Sequence, residues 1–241
     1  MYGISNRNSN CYLNVILQIF LNSEHSYNLI NPKLEVIEKQ IPEKQITQKI
    51  IIPTNFLKMI EKDIDILSQN DAHEAFLSLI DNMPILKSSV TGKIKTYFRC
   101  TECNKTRSSS EEFYTINIYS ESIEESIKNL IKEEEHILMC DNCKKNTNTI
   151  KHSKIKQIGN LLIFYNINKN NFNKIPYNLI HDKEYKLTGI IKHFGNKTGG
   201  HYVYIDYKNK ILFNDEKIIV HDDKEFNTLN LKDIYLLVYS S

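Results

Sequence analysis

An α+β fold is predicted by three features of this sequence. Apolar residues at helical spacing are confined to positions 11–90 and to one short stretch near residue 125. Short apolar runs separated by turn signals fill the chain after Leu161. Between these regions lie two Cys-x-x-Cys pairs. Helices first, then a cysteine-bearing β insertion, then a mostly antiparallel sheet make α+β the expected class. At 241 residues and 41% hydrophobic, the chain can bury a sizeable core as one large domain or two small ones.

The elements follow in order. Leu13, Ile16, Leu17 and Phe20 repeat at helical spacing after Cys11, and Asn10 is a favoured N-cap. Residues 23–54, broken by Pro32, Pro42 and Pro53, are assigned to no element. Residues 56–67 read as a short helix. A second helix carries Ala72, Ala75, Phe76, Leu79 and Ile80, with Ser68 and Asp71 placed as a capping pair. Strands are expected at 90–98 and 113–119, and Ser122 with Glu125 opens a helix carrying Ile123, Ile127, Leu130 and Ile131. Strands follow at 161–167, 185–194, 201–207, 210–213, 217–220 and 235–239, with a hairpin turn at Lys208 and Asn209.

Charge and composition exclude some functions. A formal charge of +2, with lysines interleaved among Glu and Asp, offers no basic stripe for nucleic acid or an anionic membrane. No run reaches transmembrane length, and the polar first ten residues lack a signal-peptide pattern. A reducing setting, cytoplasmic or also nuclear, is therefore expected, and a monomer. Five cysteines fit it: four in the two pairs, plus Cys11.

Three groups of residues carry chemistry. Cys11, at the first turn of a helix, faces unpaired N–H groups and the helix dipole, which favour a thiolate. Cys100, Cys103, Cys140 and Cys143 form two knuckles separated by 36 residues. Four thiolates would close a tetrahedral structural zinc site with no open position. Three of the chain's seven glycines, Gly195, Gly199 and Gly200, fall in the six positions before His201, which opens a strand. Asn214 and Asp215 follow on the adjoining strand, where either could hold the imidazole in one tautomer. Asp71 and Glu74, three apart on an exposed helical side, read either as answers to the helix dipole or as an acidic surface for a basic ligand tail.

Taken together, these segments resemble the ubiquitin-specific proteases, papain-like cysteine deubiquitinases, over nearly the whole chain. The family's cysteine box appears as Gly3-Ile4-Ser5-Asn6-Arg7-Asn8-Ser9-Asn10-Cys11-Tyr12-Leu13-Asn14, with Asn8 and Ser9 where the family has Gly and Asn. Its Q-Q-D-A-x-E segment appears as Gln69-Asn70-Asp71-Ala72-His73-Glu74. The four cysteines match its zinc-bearing fingers. Its histidine box runs from Tyr185 through His193-Phe194-Gly195 to Gly200-His201-Tyr202, and its last strand is Tyr235-Leu236-Leu237-Val238-Tyr239.

The resemblance implies a thumb over about 1–88, fingers over about 89–160 and a palm over about 161–241. It implies Cys11 as nucleophile, His201 as base, Asn214 or Asp215 as orienting group and Asn6 as oxyanion donor. Asp71 and Glu74 would face the arginine-bearing tail of ubiquitin. Gly199, Gly200 and Tyr202 would line the channel for its twin glycines. The reaction implied is hydrolysis after the C-terminal glycine of ubiquitin. The alternatives are a protease for a ubiquitin-like modifier and a non-catalytic ubiquitin-binding pseudo-protease.

Overall fold

The computed structural model describes residues 1–7, 9–41, 46–172, 174–181, 183–196, 199–227 and 230–241. Asn8 of the cysteine box, Pro42, and Lys197 and Thr198 of the glycine loop lie outside the described residues. The helices are α1 Cys11–Leu21, α2 Tyr27–Ile30, α3 Thr54–Ile60, α4 Ala72–Asn82, α5 Pro84–Val90, α6 Ile123–Ile131 and α7 Asp223–Asn227. The strands are β1 Gly3–Ile4, β2 Glu35–Ile41, β3 Ile46–Ile52, β4 Gly92–Cys100, β5 Thr106–Phe113, β6 Ile116–Ile118, β7 Glu134–Cys140, β8 Lys145–Gln157, β9 Leu161–Asn166, β10 Asn178–Ile180, β11 Glu184–Asn196, β12 Gly199–Asp206, β13 Ile211–Asn214, β14 Lys217–Val220 and β15 Ile234–Ser240. Among the described residues no helix is long and apolar enough to cross a membrane.

Helix α1 is the centre of the molecule. Every residue from Cys11 to Phe20 is buried, as expected of a helix packed on all sides rather than along one stripe. It packs on α4 and on β12, and Phe20 stacks on Phe76 with ring centroids 6.4 Å apart. Burying each such aromatic contributes roughly 1.5–3 kcal/mol. Asn10 stands at the N-cap position but makes no side-chain cap bond. Its amide instead donates to Ser5 O at 3.0 Å and Asn14 Oδ1 at 2.8 Å. At α4, Asp71 is the cap, accepting from the backbone of His73 at 2.7 Å and Glu74 at 3.2 Å. Ser68, expected to share that role, bonds Asp65 O at 3.1 Å. The helix expected over 56–67 ends at Ile60, and the strand expected from 90 begins at Gly92, because Pro84 opens α5 ahead of it. Ser122 caps α6 as expected, accepting from Glu125 N at 3.2 Å.

Three sheets complete the fold. The largest runs β14-β13-β12-β11-β15-β9-β6, with β10 on β11, antiparallel except for β6 beside β9. Thus Ile116–Ile118, inside the 89–160 stretch, is built into the main sheet. A second sheet, β5-β4-β8-β7, carries all four paired cysteines at its turns. The third, β1-β3-β2, pairs Gly3–Ile4 with two strands from the stretch left without elements. Strands β2, β5 and β7 are exposed along most of their length, so no alternation of apolar and polar residues betrays them. Register within the main sheet places His201 opposite Phe194, Tyr202 opposite His193, and Tyr204 opposite Phe213.

Candidate active site and metal centre

Helix α1 packs against β12, and Cys11 and Tyr202 line one cleft. The thiol is 3% exposed. Burial, and then the charge of Asp215, push the Cys11 thiol above the ordinary cysteine value of 9.0, although the N–H groups of Tyr202, Tyr12 and Cys11 pull the other way. The helix-start argument for a thiolate therefore names real donors, but desolvation outweighs them. Ionisation of Cys11 needs a partner cation, which a protonated imidazole would supply.

His201 Nε2 lies 2.7 Å from Asn214 Oδ1 and 4.0 Å from Asp215 Oδ2. An amide oxygen only accepts, so Nε2 carries the proton and Nδ1 the lone pair in the neutral ring. Asn214 ends β13, and Asp215 follows in the left-handed region at φ 52°. That turn aims the Asp215 carboxylate back at the N-terminal segment. It accepts from Asn6 Nδ2 at 2.7 Å on one oxygen and from Asn14 Nδ2 at 2.7 Å on the other. Asn6 therefore commits one amide hydrogen to Asp215 and retains a second for a ligand. In a His201→Ala background, Asp215→Asn is expected to shift alkylation of Cys11 by iodoacetamide to lower pH, since it removes a charge opposing the thiolate. An unmoved profile would show that Asp215 exerts no field on the sulfur.

A cleft of about 380 Å³ is lined by Cys11, Asp71, Glu74, Gly199, Gly200 and Tyr202 together with residues given no role from the sequence, among them Gln69, Lys169 and His193. His201 stands outside this lining, with its side chain 40% exposed. Tyr202, next to His201 in β12, shares the cleft with Cys11, and its ring stacks on His193 at 4.2 Å. Gln69 Oε1 accepts from Gly200 N at 3.1 Å, closing one end of the cleft across the glycine pair. A side chain at Gly200 would meet His193 Nε2 at 2.4 Å, so the missing Cβ is a packing requirement. Asp71 serves partly as structure: besides capping α4, it accepts from the Tyr235 hydroxyl. Glu74 is exposed at the cleft rim.

The four paired cysteines converge, with ligand atoms all within 4.8 Å of one another. Cys100 Sγ is 3.9 Å from Cys143 Sγ, and Cys103 Sγ is 3.7 Å from Cys140 Sγ. Those are contacts of free thiols rather than disulfides. They match the edge of about 3.8 Å that four sulfurs at about 2.3 Å from one ion would form. The two turns are built alike: Asn104 and Lys144, each just after the second cysteine of its pair, take left-handed φ of 57° and 54°. Each donates its N–H to the first cysteine's carbonyl, at 3.0 and 2.8 Å. The cluster could hold a metal ion.

This fold and this set of side chains have the make-up of a cysteine hydrolase of the papain-like kind. A family profile described as "Ubiquitin carboxyl-terminal hydrolase" matches residues 2–239, and the chain belongs to that family. It is 23% identical to the probable ubiquitin carboxyl-terminal hydrolase 8 of Schizosaccharomyces pombe over 98% of this chain and 64% of that protein. It is 22% identical to ubiquitin carboxyl-terminal hydrolase 24 of Mus musculus over 68% of this chain, a match covering 8% of that much longer protein. In three dimensions it is similar to a chain of the SAGA DUB module of Ubp8, Sgf11, Sus1 and Sgf73 bound to monoubiquitin. The TM-score there is 0.75 at 16% identity, over 100% of this chain and 69% of that one.

Proposed function

We propose that the chain is a cysteine-type deubiquitinase that hydrolyses the isopeptide or peptide bond after the C-terminal glycine of ubiquitin. The observation that carries the proposal is the meeting of the chain's two ends. Cys11 at the start of α1 lines the same cleft as Tyr202, and the neighbouring His201 is held through Nε2 by Asn214 at 2.7 Å. Family membership and the ubiquitin bound to the related module support the choice of substrate.

In this reading His201 Nδ1 takes the Cys11 proton as sulfur attacks the glycine carbonyl. The oxyanion is met by the spare amide hydrogen of Asn6. The imidazolium returns its proton to the leaving amine, giving an acyl-enzyme. Water, deprotonated by the same ring, then releases the ubiquitin carboxylate and regenerates the thiol. Asn214 keeps the ring in the productive tautomer. Glu74 and the outer side of Asp71 meet the basic tail, while Gly199, Gly200 and the Tyr202 backbone line the passage for its glycines.

Cys100, Cys103, Cys140 and Cys143 would hold one zinc ion, which closes the turns of the second sheet and supplies no chemistry to the reaction. The enzyme would act as a monomer in the reducing cytoplasm, with thumb, fingers and palm divided near residues 88 and 160. Ubiquitin carrying a C-terminal fluorogenic amide should be turned over by the wild type. Turnover of a ubiquitin-like modifier amide with ubiquitin left intact would move the specificity to that modifier.

A further inference from the structure

Asn14 is a polar residue in the middle of a buried helix, 2% exposed and three positions after Cys11. Its amide donates to Asp215 Oδ1 at 2.7 Å, and its oxygen accepts from Asn10 Nδ2 at 2.8 Å. The other Asp215 oxygen accepts from Asn6 Nδ2, and the Asn6 oxygen accepts from Asn10 N at 2.9 Å. These four bonds form a closed circuit: Asn14, Asp215, Asn6, Asn10 and back to Asn14. It ties residues 6–14 to a carboxylate about 200 positions away in the chain.

The circuit has no metal or basic residue in it. Each Asp215 oxygen is held by one neutral amide, and His201 Nε2 stands outside the circuit, 4.0 Å from one of those oxygens. Asp215 also opposes ionisation of Cys11, so direct activation of the thiol is not its use. What the circuit does is fix distances. Through one carboxylate it sets the Asn6 amide, the Asn214–Asp215 turn that holds His201, and the helix that carries Cys11.

We infer that Asn14 is a positioning residue. From the nucleophile's own helix it holds Asp215, so that Asn6, His201 and Cys11 are in register before any substrate arrives. The substrate assay below rests on the proposed deubiquitinase reading; the alkylation assay does not.

The test compares Asn14→Asp with the exchange Asn14→Asp plus Asp215→Asn. The single change sets two carboxylates against each other at the 2.7 Å contact. It should lower kcat on the order of 100-fold, the effect of misplacing reacting groups by about 1 Å, with KM nearly unmoved. It should also shift Cys11 alkylation to higher pH by adding a second opposing charge. The exchange restores net charge and the four bonds of the circuit, and gives up only the long 3.4 Å donations of position 14 to the Ile4 and Ser5 carbonyls. The amide now at position 215 donates to the carboxylate at position 14 and still accepts from Asn6. Relative to the single change, kcat should recover about tenfold and the alkylation profile should move back to lower pH, the coupling expected of residues in one network.

An exchange no better than the single change overturns the inference, as does a single change that leaves kcat at the wild-type value. If Asn14→Asp fails to fold, Asn14→Ala, which removes the donor without adding charge, takes its place. Lowered kcat at constant KM and constant folded fraction supports the role, and unchanged kcat overturns it. Absence of any wild-type turnover of ubiquitin would refute the proposed substrate, while the alkylation series would still decide on Asn14.

Discussion

Cys11→Ala is expected to abolish turnover of a fluorogenic ubiquitin amide. Removing a nucleophile from a coupled catalytic set lowers kcat on the order of 10⁵–10⁶-fold, since the remaining groups have nothing to activate. The fold should survive. Cys11 is buried among apolar residues, alanine suits a helix, and replacing one sulfur by hydrogen is a small change in volume. Melting temperature and ubiquitin binding should therefore stay close to wild type while turnover falls to background. Turnover equal to wild type would end the assignment of Cys11 as nucleophile.

The second large effect is expected at the cysteine cluster. Elemental analysis should find one zinc per chain, and Cys103→Ala with Cys140→Ala should find none. Loss of the ion should unfold the sheet β5-β4-β8-β7 selectively. That sheet has little of its own core: β5 and β7 are exposed almost throughout, and the buried residues of β4 and β8 are mainly small or polar. Structural zinc binding contributes apparent free energies of about 10–16 kcal/mol, and here little else stands in for it. Crowding of the sulfurs has a further consequence. Contact with the Cys103 sulfur, with burial, pushes Cys143 up, while the Thr147 hydroxyl pulls Cys100 down, so binding an ion would displace the proton of Cys143 in particular. Hydrogen exchange should show rapid labelling of 92–113 and 134–157 in the double variant, with α1 and the main sheet still protected. Full protection in a metal-free protein would remove the metal from the account of stability.

The sequence disclosed what apolar periodicity and special residues can disclose. The buried helices α1 and α4 and the strands after Leu161 have patterns that only a core can explain, and two Cys-x-x-Cys pairs point to a metal. Strands β2, β5 and β7 have no apolar face, because pairing and the proposed ion hold them. Cys11 was legible as a helix-start thiol, but not as one whose burial outweighs the helix terminus, since burial depends on β12 and α4 arriving from elsewhere. Asn14 had a signal that could have been read. Asn10, Asn14, Gln18 and Asn22 recur every four residues, a stripe of amides along an otherwise apolar helix. In the structure Asn14 holds Asp215, Gln18 holds the Tyr2 carbonyl at 2.9 Å, and Asn22 bonds back to Gln18 at 2.9 Å. The partner of Asn14 was hidden because it lies 201 positions away.

The central claim is that the thiol near the first residues and the imidazole near the last act as one reactive unit on the end of ubiquitin. Ubiquitin bearing a C-terminal electrophile tests it in a single reaction. The account predicts one covalent adduct per chain, mapped to Cys11 and absent from Cys11→Ala. It also predicts much slower trapping by His201→Ala, even though the zinc-site thiols are present in all three proteins. No adduct, an adduct on another cysteine, or trapping by His201→Ala at the wild-type rate would contradict it.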